Sequence, residues 1–209
     1  MAQSRRGRQA ALVNPSPTWS VIVLAGGTGQ RLGGADKAAL PIDGTPALER
    51  LLASLPDDVS VIVAGPERPV TRPVTFQPES PAGGGPVAGI AAAMHAVKTP
   101  NVIIVATDMP WSGPIITALA ERFVMAPTDV LIPVSADGRR QVLCCAWSAD
   151  ALRHALDGLG DPHGRSVRDL VSLASAVEWQ LDEMQSALLA DIDTPDDLTR
   201  AQREPPAVP

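Results

Sequence analysis

Short uninterrupted runs of aliphatic and β-branched residues alternate along this chain with stretches whose apolar positions recur at helical spacing. Ser20–Ala25 (SVIVLA) is the first such run, halted by Gly26-Gly27, the pattern of a buried strand entering a glycine loop. Ala47–Leu55 sets Ala47, Leu48, Leu51, Leu52 and Leu55 on one helical face. Val59–Ala64 and Asn101–Ala106 repeat the buried-strand pattern, and Val87–Val97 and Pro114–Val124 read as helices. Further strands are predicted over Asp129–Pro133, Gln141–Trp147 and Leu188–Ile192, and further helices over Ala149–Leu156 and Val167–Ala174. Thr194 as N-cap and Pro195 at the first helical position open a last helix. The Pro/Gly-rich stretch from Pro66 to Pro86, with Gly83-Gly84-Gly85 inside it, reads as a long loop, and loops of that length are usually functional or disordered.

Strand–helix alternation with apolar strands predicts an α/β fold of three layers, a mostly parallel sheet covered by helices on both faces. In such sheets ligands sit beyond the carboxyl ends of the strands. The two most unusual segments, AGGTGQRLGGADK and ATDMP, both follow predicted strands directly. A chain of 209 residues suggests one domain, placed at residues 19–203 between flexible tails at 1–18 and 204–209.

Composition removes several alternatives. Aromatic residues are 3% of the chain, too few to build stacking platforms for single-stranded nucleic acid. The formal charge is −6, and the first 18 residues hold three arginines and no acid, so the rest carries −9. That balance argues against a nucleic-acid binder, and phosphate would have to be handled locally. No apolar run reaches membrane-spanning length, and the N-terminal apolar stretch is too short for a signal-peptide core. Cys144 and Cys145 are adjacent and on a strand would face opposite ways, so no disulfide between them is expected, and a reduced, cytoplasmic protein is the natural reading.

The candidate chemistry gathers in the two strand-end segments. Leu24–Lys37 holds five glycines in 14 residues, which lets backbone N–H groups converge on an anion such as a triphosphate. Arg31 and Lys37 would supply countercharge; the plain alternative is a glycine-rich surface turn. The P-loop is excluded because no lysine follows a glycine, and the dinucleotide fingerprint because its third glycine is replaced by Leu32. The chain has 15 arginines and two lysines, and one of those lysines, Lys37, stands in this segment. Asp108 follows its strand where a carboxylate could hold a divalent cation against phosphate oxygens, or merely cap a turn before Pro110. Asp191 and Asp193 would share one side of a short strand, Asp193 as a second metal ligand or a helix-dipole partner. No nucleophile elbow is present. His95 and His154 fall in predicted helices, His163 in a loop, and Arg139, Arg140, Arg165 and Arg168 could meet an anionic substrate or simply be solvated.

The stretch LAGGTGQRLGGADKAALPIDGTP (24–46) resembles the signature of small nucleotidyltransferases, most closely the molybdenum cofactor guanylyltransferases. GPVAGI (85–90), TDMP (107–110) and DIDTPDDL (191–198) match in the same order. The resemblance departs at Glu79, where the family often has Asp, and at Ala64-Gly65, where an Asn is common. It implies a Rossmann-like sheet that binds GTP with Mg²⁺, transfers GMP to the terminal phosphate of a molybdopterin-type acceptor and releases pyrophosphate. By position, Leu24, Ala25 and Gly26 would meet base and ribose, and Gly27, Thr28 and Gly29 the phosphates. Arg31 and Lys37 would neutralise charge, Glu79 and Gly89 would lie in the nucleotide site, and Asp108, with Asp193, would hold the metal. The implied partners are GTP, the pterin acceptor and, transiently, proteins of the cofactor pathway, with neither nucleic acid nor membrane. Cytidylyl transfer to the same pterin, guanylyl transfer to another phosphorylated acceptor such as a phospholactate, and a non-catalytic nucleotide-binding regulator remain open at this point.

Overall fold

The computed structural model describes residues 18–29, 33–79, 82–126, 128–203 and 206. Seven strands form one sheet: β1 (Trp19–Leu24), β2 (Ser60–Ala64), β3 (Thr75–Gln77), β4 (Asn101–Ala106), β5 (Val130–Val134), β6 (Cys144–Ser148) and β7 (Ala176–Gln180). Their spatial order is β7-β5-β6-β4-β1-β2-β3, and every pair is parallel except the two that β6 makes. Among the described residues the helices α1 (Ala47–Ser54), α2 (Pro86–Met94), α3 (Gly113–Met125), α4 (Ala149–Leu159) and α5 (Val167–Val171) lie between the strands, and α6 (Glu183–Ala187) and α7 (Pro195–Arg203) follow β7.

The pleat divides the core in two. Val21, Val23, Ile103, Val105 and Cys144 point to one face, under α1, α3 and α7; Ile22, Val102, Ile104 and Cys145 point to the other, under α2, α4 and α5. The expected three-layer Rossmann-like arrangement is therefore present, and the apolar runs are continuous because both faces of the strands are covered. Each fully buried aliphatic side chain contributes about 1.5–3 kcal/mol, so burial on both faces holds the central strands β1 and β4 firmly.

Several elements differ from the sequence expectation. Leu188–Ile192 is not a strand: the N–H groups of Leu188 and Leu189 donate to the carbonyls of Gln185 and Ser186 at 3.2 and 3.1 Å, continuing the turn of α6. Its apolar residues mark burial against the core, not pairing. The long loop carries the edge strand β3, and the strand expected from Gln141 starts only at Cys144. β7 and α6 were not anticipated, although Asp182 and Gln185 form a capping box at the start of α6. The expected cap of α7 is present, with Thr194 Oγ1 accepting from the Asp197 N–H at 3.2 Å. The expected tails lie almost wholly outside the described residues.

Candidate active site

Leu24, Ala64 and Ala106 lie side by side in register at the carboxyl ends of β1, β2 and β4. The connection after β1 crosses one face through α1 and the connection into β4 crosses the other through α2, the point at which open α/β sheets leave a crevice. The glycine loop rises from Leu24, and Thr28–Gly29 pairs antiparallel with Ala35–Asp36 to bring the chain back. Residues 30–32, and with them Arg31, lie outside the described residues. Asp36 then caps a 3₁₀ turn, Lys37–Ala39, by accepting from the Ala38 N–H at 3.0 Å. Ala38 is buried in the core, so the turn is pinned from below and Lys37 is held over the strand ends.

Asp108 is placed by the end of β4. The Thr107 N–H and hydroxyl both donate to the Leu24 carbonyl, at 3.2 and 3.1 Å, which ties the two strand ends together. The Ile192 N–H donates to the Asp108 carbonyl at 3.0 Å, and so brings Asp193 alongside. Asp193 is steadied in turn by Asp197, whose Oδ2 accepts from the N–H groups of Asp193 and Thr194. Lys37 Nζ donates to Asp108 Oδ2 at 2.9 Å and also to Asp193 Oδ1. Burial works against the Lys37 ammonium, but the Asp193 hydrogen bond and the Asp108 charge outweigh it and hold its pKa above the ordinary lysine value. Burial pushes the Asp108 carboxyl above the usual carboxylate range, although the Lys37 charge pulls it down. Asp108 Oδ1 is buried with no hydrogen-bond partner.

Glu79 closes the other side. Its Oε2 accepts from the Gly83 and Gly84 N–H groups at 3.0 and 2.9 Å, fixing the glycine run ahead of α2. Its Oε1 lies so near Gly26 and Gly89 that a Cβ on either would stand 3.3 or 3.2 Å from it; glycine is what admits the carboxylate there. Glu79, Lys37 and Asp108 line a cavity of about 350 Å³ floored by Leu24, Ala64 and Ala106. A second cavity of about 500 Å³ adjoins it, lined by Arg139, Arg140, Arg168, Ser166, Asp191 and Asp193 among others. Lys37, Asp108, Pro86 and Leu143 line both. Arg139 is paired with Asp191 at 3.2 Å and Arg140 with Glu178 at 3.1 Å.

The fold thus brings together Leu24, Gly26, Gly27, Lys37, Glu79 and Asp108 around one cavity, with Asp193 in the adjoining one. Ala25 and Gly89 are buried behind it. The Thr28–Gly29 backbone forms the hairpin that returns the loop. His163 packs against Gly84 instead of entering either cavity. Both cysteines are free and buried, and burial pushes Cys145 up to about 12 and Cys144 higher still, so neither offers a thiolate nucleophile. Sequence reasoning passed over Thr107 and Leu143. The hydroxyl of Thr107 sits in the TDMP motif, but Leu143 had no sequence signal, since only the antiparallel placement of β6 brings it to the site.

Among the described residues no cluster of three metal-ligating side chains occurs, and no helix is long and apolar enough to cross a membrane. The carboxylate pair Asp108 and Asp193 nevertheless suits a hard divalent cation, which is commonly held by one or two carboxylates with substrate phosphates completing its shell. The orphaned Asp108 Oδ1 and the ammonium already lodged between the two acids are what such a seat would present.

A sheet of this topology, a glycine loop closed by a hairpin, and a Lys–Asp pair at the meeting of two cavities define a nucleotidyltransferase of the α/β class. The chain belongs to the family of the MobA-like NTP transferase domain, whose sequence profile matches residues 21–183. It is 31% identical over 200 residues to the molybdenum cofactor guanylyltransferase of Mesorhizobium japonicum, covering 87% of this chain and 93% of that one. It is 28% identical over 187 residues to that of Cupriavidus necator, covering 85% and 92%. In fold it is similar to molybdopterin-guanine dinucleotide biosynthesis protein A from Archaeoglobus fulgidus, with TM-score 0.65, 23% identity and coverage of 88% and 96%. It is also similar to the 2-C-methyl-D-erythritol 4-phosphate cytidylyltransferase of Thermus thermophilus, with TM-score 0.62, 20% identity and coverage of 88% and 96%.

Proposed function

We propose that residues 19–203 form one guanylyltransferase domain that moves GMP from GTP to the terminal phosphate of a molybdopterin-type acceptor, with Mg²⁺ as the metal. The observation that carries this reading is that two cavities of substrate size meet at Lys37 and Asp108. GTP takes the smaller one, with its base at Glu79 and its α-phosphate at the shared wall. The acceptor takes the larger, where Arg139, Arg140 and Arg168 offer cationic groups to a phosphate. The names of the relatives at 28–31% identity support the same donor and acceptor.

The chemistry needs no covalent enzyme intermediate. An acceptor phosphate oxygen forms a bond to the α-phosphorus of GTP, the bond from that phosphorus to the bridging oxygen breaks, and pyrophosphate leaves. Phosphate attacking phosphate meets charge repulsion, which Lys37 and the loop N–H groups offset while the cavity walls hold the attack in line. A divalent metal is general to nucleotidyltransferases of this family; held by Asp108 and Asp193 it would neutralise phosphate charge. Glu79 supports guanine: an ionised carboxylate only accepts hydrogen bonds, and guanine presents two neighbouring donors, N1–H and the N2 amino group, on its pairing edge. Cytosine places an acceptor beside its one amino donor. Pyrophosphate release, measured with purified acceptor and either GTP or CTP, tests the reading. Release with GTP in clear excess over CTP is expected; release only with CTP, or none in the presence of acceptor, would overturn it.

A further inference from the structure

Lys37 stands where a cation is needed. Its Nζ touches both Asp108 and Asp193, bringing one positive charge against two negative ones at the wall between the cavities. The neighbouring Asp191 is engaged by Arg139 and Asp197 by the start of α7, while the Asp191 charge still bears on Asp108 and deepens its need for a cation. Asp108 Oδ1 is still without a partner, so the ammonium fills the place of a cation without saturating it. The position is built, not accidental, because the hairpin and buried Ala38 hold the lysine there from one side and the Ile192–Asp108 hydrogen bond holds Asp193 there from the other.

A free divalent ion entering this seat must displace an ammonium that is tethered to the chain, and the displaced group would give up both of its carboxylate contacts. An ion that comes with a triphosphate meets a different balance, since the phosphate oxygens give the lysine new anionic partners as it leaves the carboxylates. We propose that Lys37 is a tethered stand-in cation that closes the Asp108–Asp193 pair to free divalent metal and yields it only to metal already complexed with a nucleoside triphosphate. The inference rests on the reading of that pair as the metal seat and adds an order of binding: metal and nucleotide enter as one ligand, not in succession.

The test is a titration of the full chain with Mn²⁺ in the absence of nucleotide, with free Mn²⁺ followed by electron paramagnetic resonance. Lys37→Met and Lys37→Gln should each bind Mn²⁺ alone at least about tenfold more tightly than the wild type, within the usual span of coupling between two ligands of one site. Adding Asp193→Asn to Lys37→Met should abolish that gain. In the wild type, Mn²⁺ should bind tightly only when a non-hydrolysable GTP analogue is present, an arm that needs no variant to fold. Neutral variants that bind free Mn²⁺ no better than the wild type, or a wild type that binds it equally well with and without the analogue, would overturn the proposal. Guanylyl transfer is not read in this experiment, so the order of binding can fail while the GTP-against-CTP comparison still succeeds.

Discussion

Lys37 and Glu79 line one cavity, and the task proposed for each can be separated from the fold. Lys37 is held by contacts on its backbone and on Ala38, so truncating the side chain removes charge without removing packing. Lys37→Ala should lower turnover by about 10²–10³-fold, the usual cost of one preorganised donor at a developing charge, with only a modest change in melting temperature. Pyrophosphate release and a thermal melt on the same preparation check both halves, and near-normal turnover would remove Lys37 from the reaction. Glu79→Gln exchanges one acceptor for a donor while leaving an oxygen for the Gly83 and Gly84 N–H groups. A paired base contact is worth about 1–3 kcal/mol of discrimination, so the GTP-over-CTP ratio of kcat/KM should fall by about tenfold or more. An unchanged ratio would place base selection elsewhere.

At the scale of elements, the turn from Asp191 to Asp197 shows how local chemistry sets a distant contact. Thr194 hydrogen bonds hold the Asp197 carboxyl below the usual carboxylate range. A depressed carboxyl contributes stability above its unfolded-state pKa and loses it as the pH falls through the folded-state value. The melting temperature of the wild type should therefore exceed that of Asp197→Asn at neutral pH, and the gap should close on acidification through roughly pH 5 to 3. A gap that stays constant over that range would show that Asp197 acts without its charge. The buried strands and the α7 cap were legible in sequence because unbroken aliphatic runs and a Thr-Pro start have few other meanings. The hairpin of Thr28–Gly29 with Ala35–Asp36 was not, since two-residue strands rich in glycine leave no periodicity to read. Leu188–Ile192 misled for the opposite reason: its apolar residues are buried, but the N–H groups of Leu188, Leu189 and Ala190 bond back into the turn of α6 instead of pairing with a strand.

On the scale of the whole molecule, the site exists only because the sheet gathers residues that the chain keeps far apart. Lys37 and Asp108 are 71 positions apart and Lys37 and Asp193 are 156 apart, so their identities could be picked out singly but their triangle could not. The proposed nucleotide half was legible because one glycine loop announces it. The arginines around the second cavity were visible only as scattered charges, since the turn between β5 and β6 brings Arg139, and α5 brings Arg168, to one cavity. The claim on which the account turns is that both substrates meet at the wall formed by Lys37 and Asp108. A crystal of the protein grown with Mn²⁺ and a non-hydrolysable GTP analogue, with data collected at the manganese edge, tests this most directly. An anomalous peak is expected between Asp108 and Asp193, with the base at Glu79 and the α-phosphate at Lys37, its open face toward the arginine-lined cavity. A nucleotide bound at any other rim of the sheet, or a manganese peak remote from Asp108, would contradict it.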